Sequence, residues 1–85
     1  MTYSIIFSTL ATKQFRLLDK TVQERILILL ERIRIRPYDF IEKLVGSSYF
    51  KLRVGDYRVI LRIENNNLII LVVKLGHRRN IYKSM

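Results

Sequence analysis

The amino-acid sequence predicts an α+β fold in the order β-α-α-β-β-β, a small twisted antiparallel sheet packed against a two-helix hairpin. Three observations predict it. A short β-rich run opens the chain, two segments with helical apolar spacing follow and stop at the single proline, and from Tyr49 the apolar period changes from helical to two. The 85 residues suit one domain spanning positions 1–85. A chain of that size buries somewhat more than about 60% of its unfolded surface, so its core is modest.

Residues 3–7, YSIIF, read as a strand, and Ser8 supplies an N-cap for the helix behind it. Leu10, Ala11, Phe15 and Leu18 recur at helical spacing up to Asp19. A second start signal follows at Thr21-Val22-Gln23-Glu24, a capping box whose two ends satisfy otherwise unpaired backbone donors. Val22, Ile26, Leu29, Leu30 and Ile33 then line one side of a helix that must stop near Arg36, because Pro37 disfavours helical geometry in the residue before it. Residues 38–48 read as a loop with a turn at Gly46-Ser47-Ser48.

The second half is a strand pattern. Phe50, Leu52 and Val54 point one way and Tyr49, Lys51 and Arg53 the other. After a two-residue turn at Gly55-Asp56, Tyr57, Val59, Leu61 and Ile63 share the apolar face while Arg58, Ile60 and Arg62 oppose them. Pairing across that turn sets Arg53 opposite Arg58, Lys51 opposite Ile60 and Tyr49 opposite Arg62. Residues 68–75 are almost wholly apolar, as expected of a central strand, with Asn65-Asn66-Asn67 as the connecting turn. Gly76 ends this strand, and HRRNIY (77–82) forms a basic tail running back over the sheet.

Composition narrows the function. The chain has no cysteine and one histidine, so neither a disulfide framework nor a thiolate or multi-histidine metal site can be built, and no cofactor is expected. The start MTYSIIFSTLATK lacks the pattern of a secretory signal, and the run LIILVV is far too short to span a bilayer, so we expect a soluble, cytoplasmic protein with no membrane partner. Sixteen Lys and Arg against seven Asp and Glu give a formal +9, which points to a polyanion or an acidic protein as partner. From Val45 onward there are eight basic residues against two acidic, whereas the first 44 residues hold eight against five. The second half therefore carries the binding face. Like charges directly opposite on a strand pair destabilise it, so Arg53 facing Arg58 beside Lys51 and Arg62 is better explained by an anion to be bound than by stability.

These residues resemble the RelE/ParE family, the toxin halves of bacterial and archaeal toxin–antitoxin pairs. The resemblance runs nearly end to end: YSIIFS, a helical hairpin ending in proline, YFKLRVGDYRVILRI, and LVVKLGHRRNIY. It implies a RelE-like fold and an acidic, RelB-like antitoxin held in a heteromeric complex. For the RelE branch it further implies an mRNA interferase, an endoribonuclease that inhibits translation by cutting messenger RNA in the ribosomal A site. Lys51 and Arg58 match the basic pair of the RelE hairpin, Arg78 the arginine after the last strand, and Tyr82 the C-terminal tyrosine. ParE-like members, which inhibit DNA gyrase, generally lack that set; a gyrase inhibitor without nuclease activity and an inactive RNA-binding toxin homologue stay open as the two non-enzymatic alternatives. Tyr49 departs from the pattern, standing where ribosome-dependent members have a lysine, and the interval from Gly76 to Tyr82 is shorter than theirs.

The chemistry stands beside the resemblance. An RNA chain is cut when its 2′-hydroxyl attacks the adjacent phosphate, which needs one proton removed, one donated and the added negative charge stabilised, without a metal. Lys51, crowded by Arg53 and Arg58, is the candidate neutral-amine base. Arg58 and Arg78 are suited to bracket phosphate oxygens with forked donors. Tyr82 either stacks on a splayed base, orients the attacking hydroxyl, or pins the tail to the sheet. Tyr49, Arg53, Arg62, His77 and Arg79 complete the candidate RNA-binding set, although His77 also reads as a turn residue at the strand end. Tyr57 falls on the core side. Arg16, Arg25, Arg32, Arg34 and Arg36 form solvated helix faces that could also touch ribosomal RNA.

Overall fold

The structure, a computed structural model, describes residues 2–82. Two helices cover one face of a five-stranded sheet, and the α+β prediction holds with one strand added. Strand β1 (Ser4–Phe7) leads into helix α1 (Thr9–Arg16) and helix α2 (Lys20–Ile35). A 3₁₀ turn at Pro37–Asp39 follows, then β2 (Ile41–Lys43), β3 (Phe50–Val54), β4 (Tyr57–Glu64) and β5 (Ile69–His77). The spatial order is β1-β5-β4-β3-β2. All neighbours are antiparallel except β1, which runs parallel to β5 with Ser4 beside Ile69. That is a correction to the fully antiparallel sheet. It arises because the two helices carry the chain between β1 and the later strands, so no hairpin fixes its direction.

Local signals explain most boundaries. Ser8 caps α1, its hydroxyl oxygen accepting the Ala11 N–H at 3.0 Å. Helix α2 starts one residue before the expected capping box: Asp19 is the N-cap, makes no side-chain cap bond, and leaves Thr21 inside the helix. The helix ends at Ile35, before Pro37 as expected. The expected loop over 38–48 contains β2, whose Ile41 lies opposite Leu52 and whose Glu42 lies opposite Lys51. Three residues are too few for alternation to show in sequence, and the strand exists because β3 offers it an edge.

The core lies between helices and sheet. Ala11, Ile26, Leu30 and Ile33 meet Leu52, Val54, Val59, Leu61, Ile70, Val72 and Leu75, all buried. Truncating one of the large members, such as Ile26, removes roughly 2–5 kcal/mol of stability in comparable cores. Leu10, expected on the apolar side of α1, is instead half exposed and turned to the rim of the sheet's other face.

Strand β5 is bulged. Ile60 pairs with Lys74 but Leu61 pairs with Val72, leaving Val73 as an extra residue. Helix α1 holds this irregularity. Where β1 ends, Ser8 donates its hydroxyl to the Val73 carbonyl at 2.6 Å and Gln14 Oε1 accepts the Leu75 N–H at 2.8 Å. The bulge shifts the alternation by one, so Leu75 returns to the core and Lys74 lies on the helix-free face opposite Ile60. β5 runs through Gly76, which faces Arg58, and ends at His77.

Candidate nucleic-acid interface

The helix-free face of the sheet carries the basic residues, because strand parity allows nothing else once Leu52, Val59 and Leu61 are committed to the core. Arg53 is directly opposite Arg58, and Lys51 opposite Ile60, as the turn geometry required. Tyr49 lies just outside β3, so its pairing with Arg62 is not part of the ladder; its carbonyl accepts the Leu44 N–H at 3.0 Å instead. Arg53 and Arg62 are exposed, and Arg62 approaches Glu64 two residues along the same strand at 3.5 Å.

The turn between β3 and β4 is where this face is organised. Gly55 has φ +59°, while Asp56 keeps a negative φ, so the hairpin closes with the left-handed residue first, a conformation that glycine adopts without strain. Arg58, only 8% exposed, folds its guanidinium back onto this turn. Its Nη1 donates to the carbonyls of Gly55 and Tyr57, each at 2.8 Å. Arg78 reaches the same turn from the far side: its backbone N–H donates to the Asp56 carbonyl at 2.7 Å, and its Nε lies 3.7 Å from Asp56 Oδ1. One dipeptide thus fixes two arginines from different parts of the chain. Arg25 of α2 touches it from the helix side, with guanidinium atoms 3.4–3.7 Å from where a Gly55 Cβ would be.

The chain past β5 forms a tight turn. The His77 carbonyl accepts the N–H groups of Asn80 (2.9 Å) and Ile81 (3.1 Å), and its ring Nδ1 accepts that of Arg79 at 3.2 Å. The ring also stands edge-on to Tyr57, centroids 5.5 Å apart. His77 thus closes β5 and anchors the turn that follows it. Ile81 is buried and anchors the segment, and Arg79 and Tyr82 are exposed.

Tyr82 and Tyr49 line the same open groove, of about 790 Å³, together with Leu10, Leu44, Val73 and Lys74, with buried Ile60 as its floor. The expected site residues therefore fall into two adjoining groups. Arg58, Arg78 and His77 surround the hairpin turn, while Tyr49 and Tyr82 border the groove; Lys51 of β3, paired with Ile60 of β4 on the groove floor, lies between them.

Three residues of this face were not foreseen. Glu42 of β2 stands opposite Lys51, Oε2 to Nζ 3.8 Å, so the face is not purely cationic. Asp56 was read only as a turn residue. Lys74 was absorbed into an apolar run, although a lysine at a parity position belonging to the core is itself a sign of a bulge. Among the described residues, no three His, Asp or Glu side chains come together.

Comparison with known proteins places this geometry. Residues 5–82 match the family described as the ParE toxin of the type II toxin–antitoxin system parDE. A RelE-like toxin protein from Escherichia coli is 31% identical over 81 residues, covering 92% of this chain and 85% of that protein. The archaeal RelE–RelB complex from Pyrococcus horikoshii contains a chain that superposes with TM-score 0.80 at 28% identity, covering 94% of this chain and 99% of that one. A chain of the RelBE2 toxin–antitoxin complex of Mycobacterium tuberculosis has the same fold, with TM-score 0.85 at 20% identity over 92% of this chain and 100% of its own. The chain belongs to the ParE toxin family of type II toxin–antitoxin systems.

Proposed function

We propose that this toxin is a metal-independent endoribonuclease that cuts messenger RNA in the ribosomal A site and is restrained by an acidic, RelB-like antitoxin. The observation that carries the reading is the anchoring of Arg58 and Arg78 on one turn, at the edge of a basic sheet face that continues into a tyrosine-bordered groove. In the reaction, the 2′-hydroxyl oxygen forms a bond to the adjacent phosphorus and the bond from phosphorus to the 5′-oxygen breaks. The 2′-hydroxyl gives its proton to solvent water and the departing 5′-oxygen takes one from solvent, leaving a 2′,3′-cyclic phosphate and a 5′-hydroxyl. Arg58 and Arg78 offer their donors to the phosphate oxygens as charge builds on them. Tyr49 and Tyr82 receive an unstacked base, and Arg53, Arg62 and Arg79 hold the flanking backbone. With Glu42 opposite, Lys51 is read as an ammonium facing the phosphate rather than as the proton acceptor.

The test is single-turnover cleavage of messenger RNA on programmed ribosomes. Wild-type protein is expected to produce fragments ending in a cyclic phosphate, and Arg78→Ala to produce them at least about a hundredfold more slowly, the usual scale for one lost transition-state donor. A second reading, poisoning of DNA gyrase, is favoured by the family model that matches the chain, which is the ParE one. Accumulation of gyrase–DNA complexes with intact messenger RNA would establish it instead.

A further inference from the structure

Asp56 is an acid at the edge of a surface that has to attract a polyanion. Its carboxylate is 70% exposed and its ion pair with the half-exposed Arg78 is long, so solvent screens the attraction and it adds little to folding. Electrostatics alone would favour any neutral residue here, since a carboxylate at this edge repels the phosphate that Arg78 is to bind. The hairpin does not need it either: Gly55 supplies the left-handed φ, and Asn serves as well as Asp at such turns. What Asp56 does is grip Arg78 at both ends of the residue. Its carbonyl takes the Arg78 backbone N–H at 2.7 Å and its carboxylate faces Nε at 3.7 Å. A carboxylate beside Nε takes the side edge of a guanidinium and leaves the end edge, with one N–H from each terminal nitrogen, open to a second anion. The neighbouring Gly55 carbonyl accepts from Nη1 of Arg58, so both arginines are tied to the same dipeptide.

From this geometry we infer that Asp56 is a positioning residue that orients Arg78 for the phosphate, at the cost of some attraction for RNA. The inference rests on the ribonuclease reading and deepens it. It makes an unusual demand, namely that one substitution should improve binding and impair the chemical step.

The experiment is single-turnover cleavage across a range of toxin concentrations with Asp56→Asn, which keeps the size and turn preference of the side chain. The maximal rate should fall about tenfold, less than for loss of the arginine itself, because the donor remains but is no longer oriented. The half-saturating concentration should stay the same or fall, since one repulsive charge has gone. On an Arg78→Ala background, Asp56→Asn should cause no further loss of rate. Asp56→Glu should recover part of the rate while leaving binding at the wild-type level. The Nε–H resonance of Arg78, followed by NMR in the free toxin, should shift and exchange faster in Asp56→Asn, whereas thermal melting should not change. An unchanged maximal rate in Asp56→Asn, or an equal loss in both arginine backgrounds, would overturn the inference while leaving the nuclease reading intact. Absence of cleavage by the wild type would instead remove the nuclease reading itself.

Discussion

The Glu42 carboxylate lies 3.8 Å from the Lys51 ammonium, directly across the β2–β3 pair. It brings an acid beside a base of the sheet face, as Asp56 and Glu64 also do, and it bears on what Lys51 does. An ammonium stabilising the phosphate helps at every pH where it stays charged, whereas an amine acting as base becomes dispensable as hydroxide takes over. Lys51→Ala should therefore cut about tenfold or more slowly, with a deficit that stays constant as pH is raised. Glu42→Gln should bind RNA more tightly and leave the cleavage step within a few-fold of wild type. A Lys51→Ala deficit that shrinks steadily with rising pH would return Lys51 to the role of base.

Arg58 has a structural duty as well as a proposed chemical one. It is buried, and its Nη1 satisfies two turn carbonyls, so Arg58→Ala should lower unfolding free energy by about 1–3 kcal/mol as well as abolish most cleavage. The two effects separate in Arg58→Lys. An ammonium can still reach a turn carbonyl and recover part of the stability, but it cannot reproduce the fork, so the rate should stay about a hundredfold down. Chemical denaturation beside single-turnover cleavage measures both. Recovery of rate in step with stability would show that Arg58 acts only through the fold. Arg32→Ala on α2 is the control and should leave the cleavage step unchanged.

Leu68 has φ +53°, the one described residue other than glycine in the left-handed region. The three asparagines before it make the turn to β5, and its carbonyl accepts the Ser4 N–H at 2.8 Å, tying the strained position to β1. A β-branched residue tolerates this conformation worst. Leu68→Val, although nearly conservative in hydrophobicity, should destabilise by about 1–2 kcal/mol, whereas Leu68→Gly should be near neutral because relieved strain offsets lost burial and added chain entropy. Urea midpoints give the order. If Val is tolerated better than Gly, the backbone there is not strained.

The sequence was most informative where one side-chain period ran for several residues. Leu52, Val59 and Leu61 on the core face, with Lys51, Arg53 and Arg58 on the helix-free face, followed from parity and the Gly55-Asp56 turn. It was least informative where long-range contacts decide the outcome. The β5 bulge depends on Ser8 and Gln14 of α1, the strand β2 on an edge offered by β3, and the parallel β1 on where the helices return the chain. The site inherits the same division. The basic residues could be read from parity, whereas Glu42, Lys74 and the grip of Asp56 on Arg78 appear only when separate elements are brought together.

The proposed antitoxin offers a test of how the charge is used. With a formal +9 on 85 residues and Arg53, Arg62, Arg78 and Arg79 exposed, the chain presents a field that an acidic partner meets before any contact forms. Opposite charges of this kind chiefly steer diffusional encounter, and added salt screens them at distances beyond about 8–10 Å. Short-range burial of apolar side chains, by contrast, holds the formed complex and is little affected by moderate salt. Raising ionic strength should therefore lower the association rate of toxin and antitoxin severalfold while changing the dissociation rate much less. Replacing exposed Arg53 and Arg62 together by Gln should reproduce part of that slowing at low salt and flatten the salt dependence. Stopped-flow association and chase-monitored dissociation separate the two rates, and an association rate indifferent to salt would mean that the basic face is not what the antitoxin recognises first.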